Sequence, residues 1–174
     1  ILLSNALGYS TSSSNDYGIS DMEFKEPSFN LPNEYAVLVQ NASWKTKQWS
    51  IKNWQLLVKH LERLGIGMIL PSGNEEEYKR AKEISSVGNN AQALRLIPLN
   101  EIAYIMNKAR FSVCSDTGLA HLSAVVNTPS ITLYGPTDTK LIGTMGKDQI
   151  HIVSPDENIN SISIEEVIDN LPSI

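Results

Sequence analysis

The chain has 174 residues, 41% of them apolar and 19% charged, with 14 Lys and Arg against 19 Asp and Glu for a formal net charge of −5. Its length holds one domain of about 100–150 residues with a short remainder, and its composition is that of a folding chain rather than a disordered one. The acidic balance argues against a basic face that tracks nucleic acid, no apolar run approaches the ~18–20 residues of a membrane-spanning helix, and no basic segment with a cleavage site opens the chain.

Ile1, Leu2, Leu3 and Leu7 read as the tail of an amphipathic helix whose beginning is expected to lie outside the chain. A polar tract over 10–16 and a weakly periodic stretch holding Pro27 and Pro32 follow, the pattern of a linker or surface excursion, so the domain boundary is placed at 31–34. From Tyr35 the pattern is regular. Residues 35–40 form an apolar run of strand length, and Trp54, Leu57, Val58, Leu61 and Leu64 then share one helical face, stopped by Gly65 and Gly67. Residues 68–70 are a second short strand, broken by Pro71-Ser72-Gly73, and Tyr78, Ala81 and Ile84 mark a second helix. A third strand is expected over 94–97 and a third helix at Ile102, Ile105, Met106 and Ala109.

The alternation continues with a strand over 111–114, a helix over 119–126, a strand over 130–133 and a sixth strand over 150–153. Cys114, the single cysteine, sits in an apolar run and reads as a small core residue rather than a nucleophile or metal ligand. Ser163 with Glu166 forms a capping-box pattern ahead of Ile164, Val167, Ile168 and Leu171, the apolar face of a last helix. Apolar strands alternating with helices predict a parallel sheet covered on both faces, an α/β doubly wound fold.

In such a sheet, ligands bind beyond the carboxyl ends of the strands, where helix N-termini gather partial positive charge. The loops to read are therefore 41–48, 71–77, 98–100, 115–121 and 134–138. Ser115-Asp116-Thr117-Gly118 leaves a strand and opens a helix, and its amides suit a pyrophosphate, with Gly118 letting a ligand approach the backbone. Taken alone, Asp116 or Thr117 reads first as a helix cap, worth about 1 kcal/mol. His121 lies one turn past Thr117 and either faces the same ligand or is a hydrogen-bonded core histidine.

Ser43, Lys45 and Lys47 place a hydroxyl and two cations after the first strand, where a phosphate is expected and where solvated lysines are also common. Of Glu75, Glu76 and Glu77, one could hold a ribose diol, while acidic residues opening a helix also favour its dipole. Residues 134–138 read first as a turn. Residues 143–147 (Gly-Thr-Met-Gly-Lys) are too short for a P-loop, with Asp148 where a magnesium-binding hydroxyl belongs. No G-x-G-x-x-G follows the first strand, and His60, His121 and His151 have no metal-ligand spacing.

The run Ser115-Asp116-Thr117-Gly118-Leu119-Ala120-His121-Leu122, with Pro129 and then Leu133-Tyr134-Gly135-Pro136-Thr137-Asp138, resembles the signature of glycosyltransferase family 9, the heptosyltransferases of lipopolysaccharide core assembly. Lys47-Gln48-Trp49, Trp54, Leu70-Pro71-Ser72-Gly73, Glu77, Leu141-Ile142-Gly143 and Gly146-Lys147 extend the resemblance over essentially everything from Tyr35 on, and the stretch after Asp138 is most similar to the branch that adds the first heptose.

The resemblance implies a two-domain, B-type glycosyltransferase with facing Rossmann-like halves. Its N-terminal half would bind the Kdo–lipid A acceptor and its C-terminal half ADP-heptose, and this chain is similar to the C-terminal half. Residues 1–34 would then be a remnant of the acceptor domain plus linker, and 35–174 the ADP-sugar-binding domain. Carried over by motif, Asp116, Thr117, Gly118 and Leu119 would receive the pyrophosphate on backbone amides, with Asp116 also bonding a heptose hydroxyl. Lys47 and Ser43 would contact phosphate and sugar, Glu77 the ribose, the backbone at Ile97 the adenine, and His121 would support the site. Ala42 departs from the family pattern, which often carries a hydroxyl there, and puts one phosphate hydrogen bond in question.

The implied reaction is inverting transfer, with a catalytic base, an aspartate, in the half this chain does not resemble. Transfer by the chain alone is therefore not expected. No cofactor or metal is expected, and the full-length protein would work at the cytoplasmic face of the inner membrane, associated peripherally. A non-catalytic nucleotide-sugar-binding module and another sugar-nucleotide enzyme, such as an epimerase, are the alternative readings.

Overall fold

The computed structural model describes Ile19 and residues 22–173, so the helix expected at the start of the chain lies outside the described residues. Strands β1 (Tyr35–Val39), β2 (Gly67–Leu70), β3 (Ala91–Ala93), β4 (Phe111–Ser115), β5 (Ser130–Tyr134) and β6 (Gln149–Val153) pair in parallel throughout, in the order β3-β2-β1-β4-β5-β6. Helices α1 (Ile51–Arg63), α2 (Glu75–Ser85), α3 (Leu99–Lys108), α4 (Gly118–Val125), the short α5 (Thr139–Ile142) and α6 (Ile164–Asp169) alternate with them. This is the doubly wound, Rossmann-like arrangement. Its strand order reverses between β1 and β4, the position at which such sheets open a crevice.

Alternation along β1 builds both layers. Ala36 and Leu38 face Trp54, Leu57, Val58 and Leu61 of α1, Ala81 and Ile84 of α2 and Val167 of α6, whereas Tyr35, Val37 and Val39 face Ile102, Ala103, Ile105 and Met106 of α3 and Ala120 of α4. Both faces of every central strand are thus covered, which is why these strands are apolar throughout rather than in every second position.

Local chemistry sets the helix ends. Ser50 caps α1 by accepting from the Asn53 N–H at 3.1 Å, and Gly65, at φ 75°, turns the chain out after it. Leu64, expected on the apolar face, is instead the C-terminal cap and 45% exposed, because the last turn has rotated past the core. The Ser163 half of the capping box forms, with its hydroxyl accepting from the Glu166 N–H at 3.1 Å.

The third strand is shifted from its expected place. It pairs with β2 over Ala91–Ala93, and the ladder ends at the Leu94 N–H, bonded to Leu70 O at 2.8 Å. Only Leu94 of the expected 94–97 run is buried, and Leu96 is 71% exposed. An edge strand needs few apolar residues, so Ala-Gln-Ala carries the pairing without the hydrophobic signal that marks a central strand.

The segment 22–34 lies against the α3 side of the domain. Phe24, Phe29 and Leu31 pack on the second core, Lys25 pairs with Glu101 at 2.6 Å, and Pro32 lies so near Gly67 that a Cβ there would sit 2.8 Å from its ring carbons. Among the described residues no helix is long and apolar enough to cross a membrane.

Cys114 is fully buried in β4 with its thiol 3.5 Å from Ser112 Oγ, and burial pushes the thiol up to about 12. In the folded chain it should therefore resist a disulfide reagent even at pH 9, where an ordinary thiol of pKa about 8.5 reacts readily. Absorbance-monitored labelling with and without urea checks this, with fast reaction expected only in the unfolded chain.

Candidate functional site

Three loops meet at the carboxyl end of the sheet where its order reverses. The first follows β1 and closes into a 3-10 turn, Lys45–Lys47, through Lys47 N–H to Trp44 O at 2.9 Å and Gln48 N–H to Lys45 O at 3.0 Å. It is fixed from below. Gln48 donates from its side chain to Ala42 O at 2.8 Å, and the fully buried Trp49 donates from Nε1 to Ile162 O at 2.9 Å while its ring meets Trp54 edge-on at 5.4 Å.

The second loop is Asp116 and Thr117, between β4 and α4. Thr117 occupies the N-cap position, yet neither it nor Asp116 caps the helix by its side chain. The capping alternative therefore does not hold for α4. The first N–H groups of the helix, at Gly118 and Leu119, are left for an external acceptor, as at any helix start lacking a cap.

The Asp116 carboxylate, 7% exposed, turns instead across the sheet. Its Oδ2 takes the Lys47 ammonium at 2.6 Å and the Thr137 hydroxyl at 2.6 Å. The ammonium also lies 5.3 Å from the Trp44 ring centroid. Charge-assisted bonds of this kind are the strong ones, and they make a buried carboxylate tolerable.

Thr137 belongs to the third loop, after β5, where a turn was expected and a site residue was not. Gly135 brings it into place, since a Cβ there would stand 3.0 Å from Thr46 O and 3.2 Å from Glu157 O. A side chain there would press the third loop away from the first by a few tenths of an ångström. Its position beyond the strand next to β4 was the signal that could have singled Thr137 out.

Beneath these groups lies a set of unsatisfied buried oxygens. Gln40 Nε2 and Asn41 Nδ2 both donate to Pro71 O, at 3.2 and 3.4 Å. Their own oxygens, with Ser72 Oγ, Ser115 Oγ and Thr117 Oγ1, have no partner among the described residues. Buried oxygens of this kind cost about 1–3 kcal/mol each unless a donor reaches them. These five stand at the ends of β1, β2 and β4, while Trp54 Nε1, Arg80 Nε and Thr132 Oγ1 are likewise unpartnered among the described residues elsewhere in the fold.

The remaining candidates follow the same strand ends. Ser43 is exposed beside the 3-10 turn. Glu77 follows β2, where its Oε2 accepts from the Gly73 N–H at 2.7 Å while Asn74 caps α2 through the Glu77 N–H at 2.9 Å, so it holds the loop in shape. Glu75 pairs with Arg95 on the surface. Ile97 and Leu119 are half-buried against the second core. His121 is exposed on α4 and has no hydrogen-bond or ion-pair partner among the described residues, which rules out the hydrogen-bonded core histidine.

Within 143–147, Gly143 and Thr144 are packed into the fold. Thr144 N–H donates to the Tyr134 hydroxyl at 3.0 Å, its side chain meets His151 Nε2 at 2.8 Å, and a Cβ on Gly143 would clash with Thr139 O. A groove of about 760 Å³ at the opposite, amino end of the sheet is lined by residues 26–33, Tyr35, Tyr104 and Lys108 and contains none of the candidate residues.

The chain matches a known family. The model of glycosyltransferase family 9 (heptosyltransferase) matches residues 1–171. The chain belongs to glycosyltransferase family 9. It is 35% identical over 177 aligned positions to lipopolysaccharide heptosyltransferase 1 of Escherichia coli K12, which covers 99% of this chain and 54% of that protein. The solved structure of the E. coli heptosyltransferase WaaC with ADP superposes with a TM-score of 0.86 at 33% identity over 97% of this chain and 52% of that one. WaaC with ADP-2-deoxy-2-fluoro heptose superposes with a TM-score of 0.81 at 30% identity over the same shares. The chain thus spans about half the length of the family 9 relatives it matches.

If Lys47 and Asp116 form the described pair, their effects on stability must be coupled. Lys47→Ala leaves the carboxylate with only Thr137 and should cost about 1–3 kcal/mol. Lys47→Ala combined with Asp116→Ala should cost less than the sum of the single changes by about 1 kcal/mol or more. Urea unfolding of the four proteins checks this, and simple additivity would contradict the pair.

Proposed function

We propose that this chain is the donor-binding part of a lipopolysaccharide heptosyltransferase and holds ADP-heptose at the carboxyl edge of its sheet. One observation carries the proposal: Lys47 and Asp116 meet across the point where the strand order reverses, beside the uncapped start of α4. The likeness to heptosyltransferase 1, and to WaaC structures whose names record ADP and an ADP-heptose analogue, supports it.

The roles follow from charge and position. The pyrophosphate takes the amides at Thr117, Gly118 and Leu119 and the Lys47 ammonium, with Ser43 at hand for phosphate or sugar. Asp116, with Oδ2 engaged, offers its other oxygen to a heptose hydroxyl. Glu77 holds the ribose, the backbone at Ile97 meets the adenine, and His121 supports the site from the exposed first turn of α4.

Lys47 has two tasks. It adds a cation beside the phosphates and neutralises a carboxylate that would otherwise repel them.

The reaction is inverting transfer. An acceptor hydroxyl attacks the anomeric carbon, the C–O bond to the β-phosphate breaks, and an aspartate of the complementary N-terminal half takes the proton, while the fixed amides and Lys47 stabilise the departing ADP. Residues 35–174 form the donor domain, and the preceding segment joins it to the acceptor domain. The acceptor is the Kdo–lipid A region, reached through that other half at the cytoplasmic face of the inner membrane, with no resident cofactor or metal.

Calorimetric titration of the chain with ADP, ADP-heptose and UDP-glucose tests the reading. ADP and ADP-heptose should bind and UDP-glucose should not. Lys47→Ala should weaken ADP binding about tenfold or more, ~1.4 kcal/mol or above. A preference for UDP-glucose would point to another sugar-nucleotide enzyme, and indifference to all three would remove the site.

A further inference from the structure

Asp116 receives both of its described partners on one oxygen. Lys47 Nζ and Thr137 Oγ1 each lie 2.6 Å from Oδ2, while Oδ1 accepts none of the described hydrogen bonds. A carboxylate held by a lysine alone can rotate, because an ammonium is a compact charge on a flexible stem that follows either oxygen. A hydroxyl on a short, β-branched side chain, fixed in a loop, supplies direction.

That loop has little freedom. Gly135 lies against Thr46 O and Glu157 O, and Asp138 at its far end accepts from the Lys140 N–H at 2.9 Å and caps α5. Thr137 therefore approaches Asp116 from a fixed side, at the oxygen that also takes Lys47.

We propose that Thr137 is a positioning residue that sets sugar recognition: by holding Asp116 Oδ2 it keeps Oδ1 turned outward as the acceptor for a hydroxyl of the donor's sugar. The proposal rests on the reading of this edge as an ADP-sugar site and deepens it. Nucleotide binding and sugar recognition are then separable. The pyrophosphate depends on Lys47 and the α4 amides, whereas the sugar depends on the carboxylate's orientation. Losing the threonine hydroxyl spares the first set of contacts and releases the second.

The test compares ADP with ADP-heptose on the same 174-residue chain, by titration followed through amide NMR spectra, which also report whether each variant is folded. The wild type should bind ADP-heptose more tightly than ADP. Thr137→Val, similar in shape but without the hydroxyl, should lower the ratio of the two affinities about tenfold, the effect of one charge-assisted bond misplaced. Thr137→Ser, which restores the hydroxyl, should keep the ratio within about threefold of wild type.

A folded Thr137→Val chain that keeps the wild-type ratio overturns the positioning role and leaves the donor-site reading intact. A Thr137→Ser chain that loses the ratio as fully as Thr137→Val also overturns it, since shape rather than the hydroxyl would then matter. A wild-type chain that binds neither ligand, or does not favour ADP-heptose, overturns the sugar-site reading and this proposal with it.

Discussion

The Asp116 carboxylate is buried at the end of β4, and a charge so placed persists only where partners meet it. Its partners come from two other strand ends, Lys47 after β1 and Thr137 after β5. Much of the upper edge is arranged around that meeting. The 3-10 turn at Lys45–Lys47 gives the lysine its direction, Trp49 anchors the turn to the carbonyl of Ile162, and Gly135 lets the third loop close over it. Even the far end of the chain takes part, since the segment leading into α6 supplies that carbonyl. The ion pair thus depends on the fold as a whole.

The same arrangement is what the proposed anionic ligand requires of an acidic chain. With a formal charge of −5 the surface as a whole does not attract phosphate. Attraction is local, from the start of α4, where backbone dipoles add and no side chain caps them, and from one lysine that also cancels its neighbouring carboxylate. The buried oxygens of Gln40, Asn41, Ser72, Ser115 and Thr117 fit the same picture.

Much of the fold was legible because its signals are local. Trp54, Leu57, Val58 and Leu61 repeat at helical spacing and are buried together, and the continuous apolar runs at β1, β4 and β5 become the buried centre of a parallel sheet. The failures also have physical causes. Apolar residues point to a third strand at 94–97, whereas an edge strand is defined by hydrogen bonds to one neighbour, and Ala91–Ala93 make them without large apolar side chains. Spacing puts Leu64 on the helical face, and the turn at Gly65 carries it out of that face.

For the site, the sequence determined which residue types stand after which strand: Ser43 and Lys47 after the first, Glu77 after the second, and Asp116 with the small residues that open α4 after the fourth. Tertiary structure alone decided which of them touch. Whether Asp116 caps its own helix or crosses to Lys47 is a choice between a contact two residues away and one nearly seventy residues away, and spacing along the chain carries no information about the second. Thr137 shows the same limit, because its hydroxyl acquires a role only when β5 is laid beside β4 and Gly135 brings its loop within bonding distance of Asp116.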